Sequence, residues 1–119
     1  MLKSEIDPEK FHELCKYASQ ALHCTNNDIL MNAGLESIGD LVRGFPAQMA
    51  PHVSSILSYM IVCLNNPSLS KQMRVSIFIS IGDMAIGCPQ EVKKEINQII
   101  QLYLLAFEAV IQILTTHVA

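Results

Sequence analysis

The chain has 119 residues, half of them apolar and only 16% charged, with a formal net charge of −3. That is enough apolar material for the core of one domain, with little charge, as in a segment cut from a longer array whose ends expect neighbours. Residues 1–60 hold Lys3, Lys10, Lys16 and Arg43 against seven acids, so there is no basic face of the kind nucleic acid requires.

Residues 1–6 are expected to fray. Asp7-Pro8 starts the first helix, with Asp as N-cap and Pro at the first helical position. Phe11, Leu14, Cys15, Ala18 and Leu22 follow the i, i+3, i+4, i+7 pattern of one buried face. A second helix begins at Asn27 or Asp28. Its apolar face is Leu30, Ala33, Ser37, Ile38, Leu41, Val42 and Phe45, and Gly44 with Pro46 ends it. The third helix runs from about Ala47 to Leu64 with Val53, Ile56, Leu57, Met60 and Leu64 as its stripe. Pro51 is expected to delay its start to Ala50 or to bend it. After the turn Asn65-Asn66-Pro67, a fourth helix from about Leu69 to Gly87 is expected to bury Met73, Val75, Phe78, Ile81 and Met84 or Ala85.

From Gln90 to Ala119 there is neither Gly nor Pro. This stretch reads as one long helix or as two with a break near Leu104–Ala106. Residues 99–114 are apolar except Gln101, Glu108 and Gln112, which reads as too short and interrupted for a membrane span. An apolar helix of this kind must be covered. The expectation is a second copy of the chain, through residues 99–118, or a following repeat.

Two decapeptides organise the chain. Ser37-Ile38-Gly39-Asp40-Leu41-Val42-Arg43-Gly44-Phe45-Pro46 and Ser80-Ile81-Gly82-Asp83-Met84-Ala85-Ile86-Gly87-Cys88-Pro89 share six of ten residues at an offset of 43. The apolar register continues at Met49/Val92, Val53/Ile96, Ile56/Ile99, Leu57/Ile100 and Leu64/Phe107. A period of ~40–47 residues is that of a two-helix HEAT or armadillo unit. The fold class is therefore all-α, an α-solenoid of antiparallel helix pairs. The first pair occupies about 7–44, the second 47–87, and a third begins over 89–119. A helix-interior glycine repeated at Gly39 and Gly82 suggests close approach by a neighbouring helix.

The four cysteines, Cys15, Cys24, Cys63 and Cys88, form no C-x-x-C pair and have apolar neighbours. They read as small buried hydrophobes of a reducing compartment. Cys24 beside His23 is not ligand spacing, because adjacent helix residues point apart. No apolar leader opens the sequence, so cytosol or nucleus is expected. The histidines, His12, His23, His52 and His117, are scattered, and no nucleophile motif, phosphate loop or metal spacing is present. The reading is a non-enzyme without cofactor or metal.

The two decapeptides resemble the inner-helix signature of HEAT repeats in the C-terminal half of importin-β (karyopherin-β). So do Ala50-Pro51-His52-Val53-Ser54-Ser55-Ile56-Leu57 and the run from Leu64 to Gly87. The resemblance covers residues 9–103 and implies a segment of about two and a half repeats from a nuclear transport receptor. Such receptors shuttle between cytoplasm and nucleus through the pore. The implied partners are an importin-α adaptor or basic cargo, FG nucleoporins and the GTPase Ran, with neither nucleic acid nor membrane among them. It further implies that the third helix is outer and that the second and fourth are inner. Two departures stand out: residues 50–64 lack acids, and 104–119 are more apolar than the family pattern. The alternative is a HEAT scaffold or regulatory subunit with no transport role.

Asp40 and Asp83 fall at equivalent places on successive inner helices, and stacked helices lie ~8–10 Å apart. With Glu36 one turn earlier, they form a carboxylate ladder suited to Lys- and Arg-rich segments. The competing reading pairs Asp40 with Arg43, three residues on. The resemblance also implies grooves between outer helices that take the Phe of FG repeats. Ile56, Met60, Ile99 and Tyr103 are the candidates, against the plain alternative that they are core.

Overall fold

The computed structural model describes residues 6–118, which are helical with no strand among them. The helices are α1 (Pro8–Leu22), α2 (Asp28–Gly44), α3 (Pro46–Leu64), α4 (Lys71–Gly87), α5 (Pro89–Lys93) and α6 (Ile96–Val118). Their starts follow local chemistry. The Asp7 carboxylate accepts from the Lys10 amide, the Asn27 side chain from the amides of Ile29 and Leu30, and the Ser70 hydroxyl from Met73. Each satisfies amides that have no partner inside their own helix. At the C-terminus of α3, Arg74 donates to the carbonyls of Leu64 (2.7 Å) and Asn66 (2.6 Å).

Several expectations need correction. Ile6 is not frayed: its amide donates to Gln48 Oε1 and its carbonyl accepts from Gln48 Nε2, both at 2.9 Å. Residues 1–5 lie outside the described part. α3 begins at Pro46 and runs through Pro51. The carbonyl that Pro51 cannot satisfy belongs to Ala47, which is exposed and open to water. Gly44 and Gly87 end α2 and α4 as expected, without a left-handed conformation, since no glycine among the described residues has positive φ. Pro46 and Pro89, each at the first position of the next helix, make the stops. The last helix does not break at Leu104–Ala106. The interruption is at Lys94–Glu95, where the Glu95 amide bonds back only three residues, to Val92. Counted by the 43-residue offset, Lys94 stands where Pro51 stands in α3.

The helices form two layers. In one, α1 packs on α3 through Phe11 against His52 (ring centroids 6.1 Å apart), Cys15 against Met49 and His23 stacked on Tyr59 (3.9 Å), and α3 touches α6. In the other, α2 stacks on α4. The layers share a core in which Met31, Met49, Met60, Met73 and Met84 are all 0–1% exposed. The methionines therefore fill core gaps, where their unbranched chains adapt to irregular space.

The buried faces differ in part from the periodic pattern. Met31, Gly34 and Leu35 are buried on α2, whereas Leu30, Ala33 and Ser37 are exposed; on α1, Leu14 is exposed. On α4 the buried set is Met73, Ile77, Ser80, Ile81 and Met84, while Val75 is 58% exposed, Phe78 half-buried and Ala85 exposed. Apolar residues are spread around all of α4, among Lys71, Gln72, Arg74 and Asp83, so its own sequence does not select a face, and the neighbours α2, α3 and α5 do.

The molecule measures 60 × 29 × 23 Å, with a radius of gyration of 15.8 Å. A compact chain of this length would have a radius of about 13.5 Å. The excess reflects α6, 23 residues long and mostly exposed. Among the described residues two helices, Pro46–Leu64 and Ile96–Thr116, are long and apolar enough to cross a membrane by length and composition. α3 is a core helix. The last helix is longer than the sequence reading allowed, so shortness is no argument against a span.

Glycines mark where helices come closest. A Cβ on Gly34 would lie 2.6 Å from the Leu22 amide nitrogen and 2.9 Å from the Ala18 carbonyl oxygen, both backbone atoms of α1; one on Gly82 would meet nothing within 4 Å. Gly34→Ala is therefore expected to force α1 from α2 and lower unfolding free energy by ~1–3 kcal/mol. Gly82→Ala should raise it by up to ~1 kcal/mol through helix propensity alone. Urea titration of the two variants checks both signs.

Candidate functional site

The stacking of α2 on α4 brings the two copies of the decapeptide side by side, and Arg43 joins them. Its guanidinium bonds Asp40 Oδ1 at 2.6 Å on its own helix and Asp83 Oδ2 at 2.9 Å on α4. Gly39 makes room: a Cβ there would lie 3.2 Å from Asp83 Oδ2 and 3.3 Å from Arg43 Nη1. The close approach expected at Gly39 is thus made by an ion pair, not by helix backbone, and at Gly82 there is none. Asp40, with help from Asp83, raises the Arg43 pKa further above its already high ordinary value. In the second copy Arg43 is replaced by Ile86, which is 83% exposed, so that copy offers no cation to continue the bridge.

Around this bridge the α2–α4 surface is acidic and shallow. A cleft of about 360 Å³ is lined by Asp28, Ile29, Asn32, Ala33 and Glu36 of α2 and by Gln72 and Met73 of α4. Asp28 Oδ2 accepts from the Ser70 hydroxyl at 3.1 Å. Glu36 and Asp40 are exposed and Asp83 is half-buried. The structure therefore brings Asp40 and Asp83 together through one guanidinium, while Glu36 lines the α2–α4 cleft and Asp40 the neighbouring cleft between α1 and α2. Asp28 was missed in the sequence because it reads as an N-terminal helix residue.

The apolar candidates separate. Met60 is 0% and Ile99 4% exposed, so both are core, and neither lines the clefts beside α6, whereas Ile56 is half-buried. Tyr103 lies on Phe78 with ring centroids 4.4 Å apart and donates to the Phe78 carbonyl at 3.3 Å. The open cleft nearby, about 410 Å³, runs between α3 and α6 and is lined by Ile61, Asn65, Gln98, Gln101, Leu102 and Leu105. A second, about 370 Å³, is shared by Leu64, Phe78, Leu102, Leu105 and Ala109 among others. None of these apolar residues was expected to line a cleft, and Leu64 and Phe78 were read as core, because cleft and core residues follow the same helical spacing.

Among the described residues no group of three His, Cys, Asp or Glu could hold a metal ion. A two-layer stack of helices with a 43-residue period, joined across one layer by a carboxylate–guanidinium bridge, defines a HEAT-type α-solenoid, a fold that presents extended surfaces to other proteins. The family model described as "Importin subunit beta-1-like, TPR repeats" matches residues 9–114, and the chain belongs to that family. It is a HEAT-repeat segment of a transport-receptor family. No solved structure matches the chain.

The remaining shifted groups are held by burial. Burial, with the neighbouring Cys63 thiol, pushes the Tyr59 hydroxyl up to about 12, and burial raises Cys15, Cys63 and Cys88 as well. Each group is neutral when protonated and has a folded pKa above its unfolded value. Its stabilising share is therefore complete below the unfolded pKa, near 9 for Cys and 10 for Tyr, and is lost as pH rises through the folded one. The melting temperature is expected to fall as pH rises from 9 to 12, and less steeply above pH 10 in Tyr59→Phe. Thermal melts monitored by circular dichroism across that range check this.

Proposed function

We propose that the chain serves as one stretch of the superhelix of a nuclear transport receptor, with its α2–α4 layer turned toward basic segments of cargo or of an importin-α-type adaptor. The observation that carries this reading is the set of carboxylates along α2 and α4: Asp40 and Asp83, with Arg43 set between them, and Asp28 and Glu36 in the cleft that α2 shares with α4. Exposed carboxylates in a groove raise the encounter rate of Lys- and Arg-rich segments and orient them. Arg43 tempers the field and leaves net negative charge. Cytoplasm, nucleus and pore follow as the places of action, and Ran-dependent release is assigned to the longer receptor.

A second contact is supported by the cleft between α3 and α6. Its Ile61, Leu102 and Leu105 give an apolar seat of a size for one aromatic side chain. We assign it to the Phe of FG repeats, in place of Met60 and Ile99.

The test is titration of fluorescent basic and FG peptides into the 119-residue chain. Arg43→Ala should tighten the basic peptide by about 3-fold, and Asp40→Asn with Asp83→Asn should weaken it by about 10-fold at low salt, both differences shrinking as salt rises. Leu102→Glu should weaken only the FG peptide. A basic peptide indifferent both to Arg43→Ala and to Asp40→Asn with Asp83→Asn would leave Arg43 as a purely structural tie and favour a scaffold without a transport role.

A further inference from the structure

We draw no further inference here: the strongest candidate, the cleft of about 340 Å³ between α1 and α3 lined by His12, Cys15, Lys16, Ser19, Gln20 and His52, carries nothing, because Glu9 and Glu13 balance Lys10 and Lys16 on α1, α3 holds no acid, lysine or arginine, and nothing in the structure shows what occupies it.

Discussion

The structure depends on how closely α2 is approached from both sides. At Gly34 the backbone of α1 occupies the space a side chain would need, and at Gly87 the carbonyl of Val42 lies 3.1 Å from where the α4 Cβ would be. Interior glycine costs up to ~1 kcal/mol of helix propensity at Gly34, and the close approach returns it as packing; Gly87, the last residue of α4, lies outside the helix interior. With α1 on one side and α4 on the other, Met31, Leu35, Ile38 and Val42 are each 0–2% exposed. The Asp40–Arg43–Asp83 bridge is a consequence: it forms only because α4 is held near enough for one guanidinium to reach two helices. An exposed bridge adds little to stability, so its larger effect is on the charge of the face.

That dependence gives the chain a direction. The first copy of the decapeptide is complete, with its arginine, its neighbour and its buried outer helix. The second is open: Ile86 stands in place of Arg43, Gly82 faces empty space, and the counterparts of Val53 and Leu57 are exposed. Each repeat of a solenoid is finished by the next. The function proposed for the α2–α4 strip uses the finished part.

Much of this was legible in the sequence, for local reasons. Asp7, Asn27 and the two prolines after the repeated glycines mark helix ends by chemistry that acts within four residues, and the 43-residue repeat carries the fold. What was not legible needed the neighbours. α4 alternates Val75, Ile77, Ile79 and Ile81 around its circumference, so only packing decides that Ile77 goes in and Val75 stays out. Met60 and the cleft residue Ile61 adjoin in sequence and follow one periodicity, yet only Ile61 reaches a cleft. Arg43 is visible as an i, i+3 partner of Asp40; its reach to Asp83 requires the stack. The interruption at Lys94–Glu95 has no Gly or Pro to announce it.

If α2 is the hub, the two helix pairs cannot open independently. Native-state hydrogen exchange measures this directly. The interior amides of α2 and α4 are expected to share one opening free energy, equal to that of global unfolding. A lower and separate value for α1 and α2, with α3 and α4 still protected, would contradict it and reduce the stack to two pairs in contact.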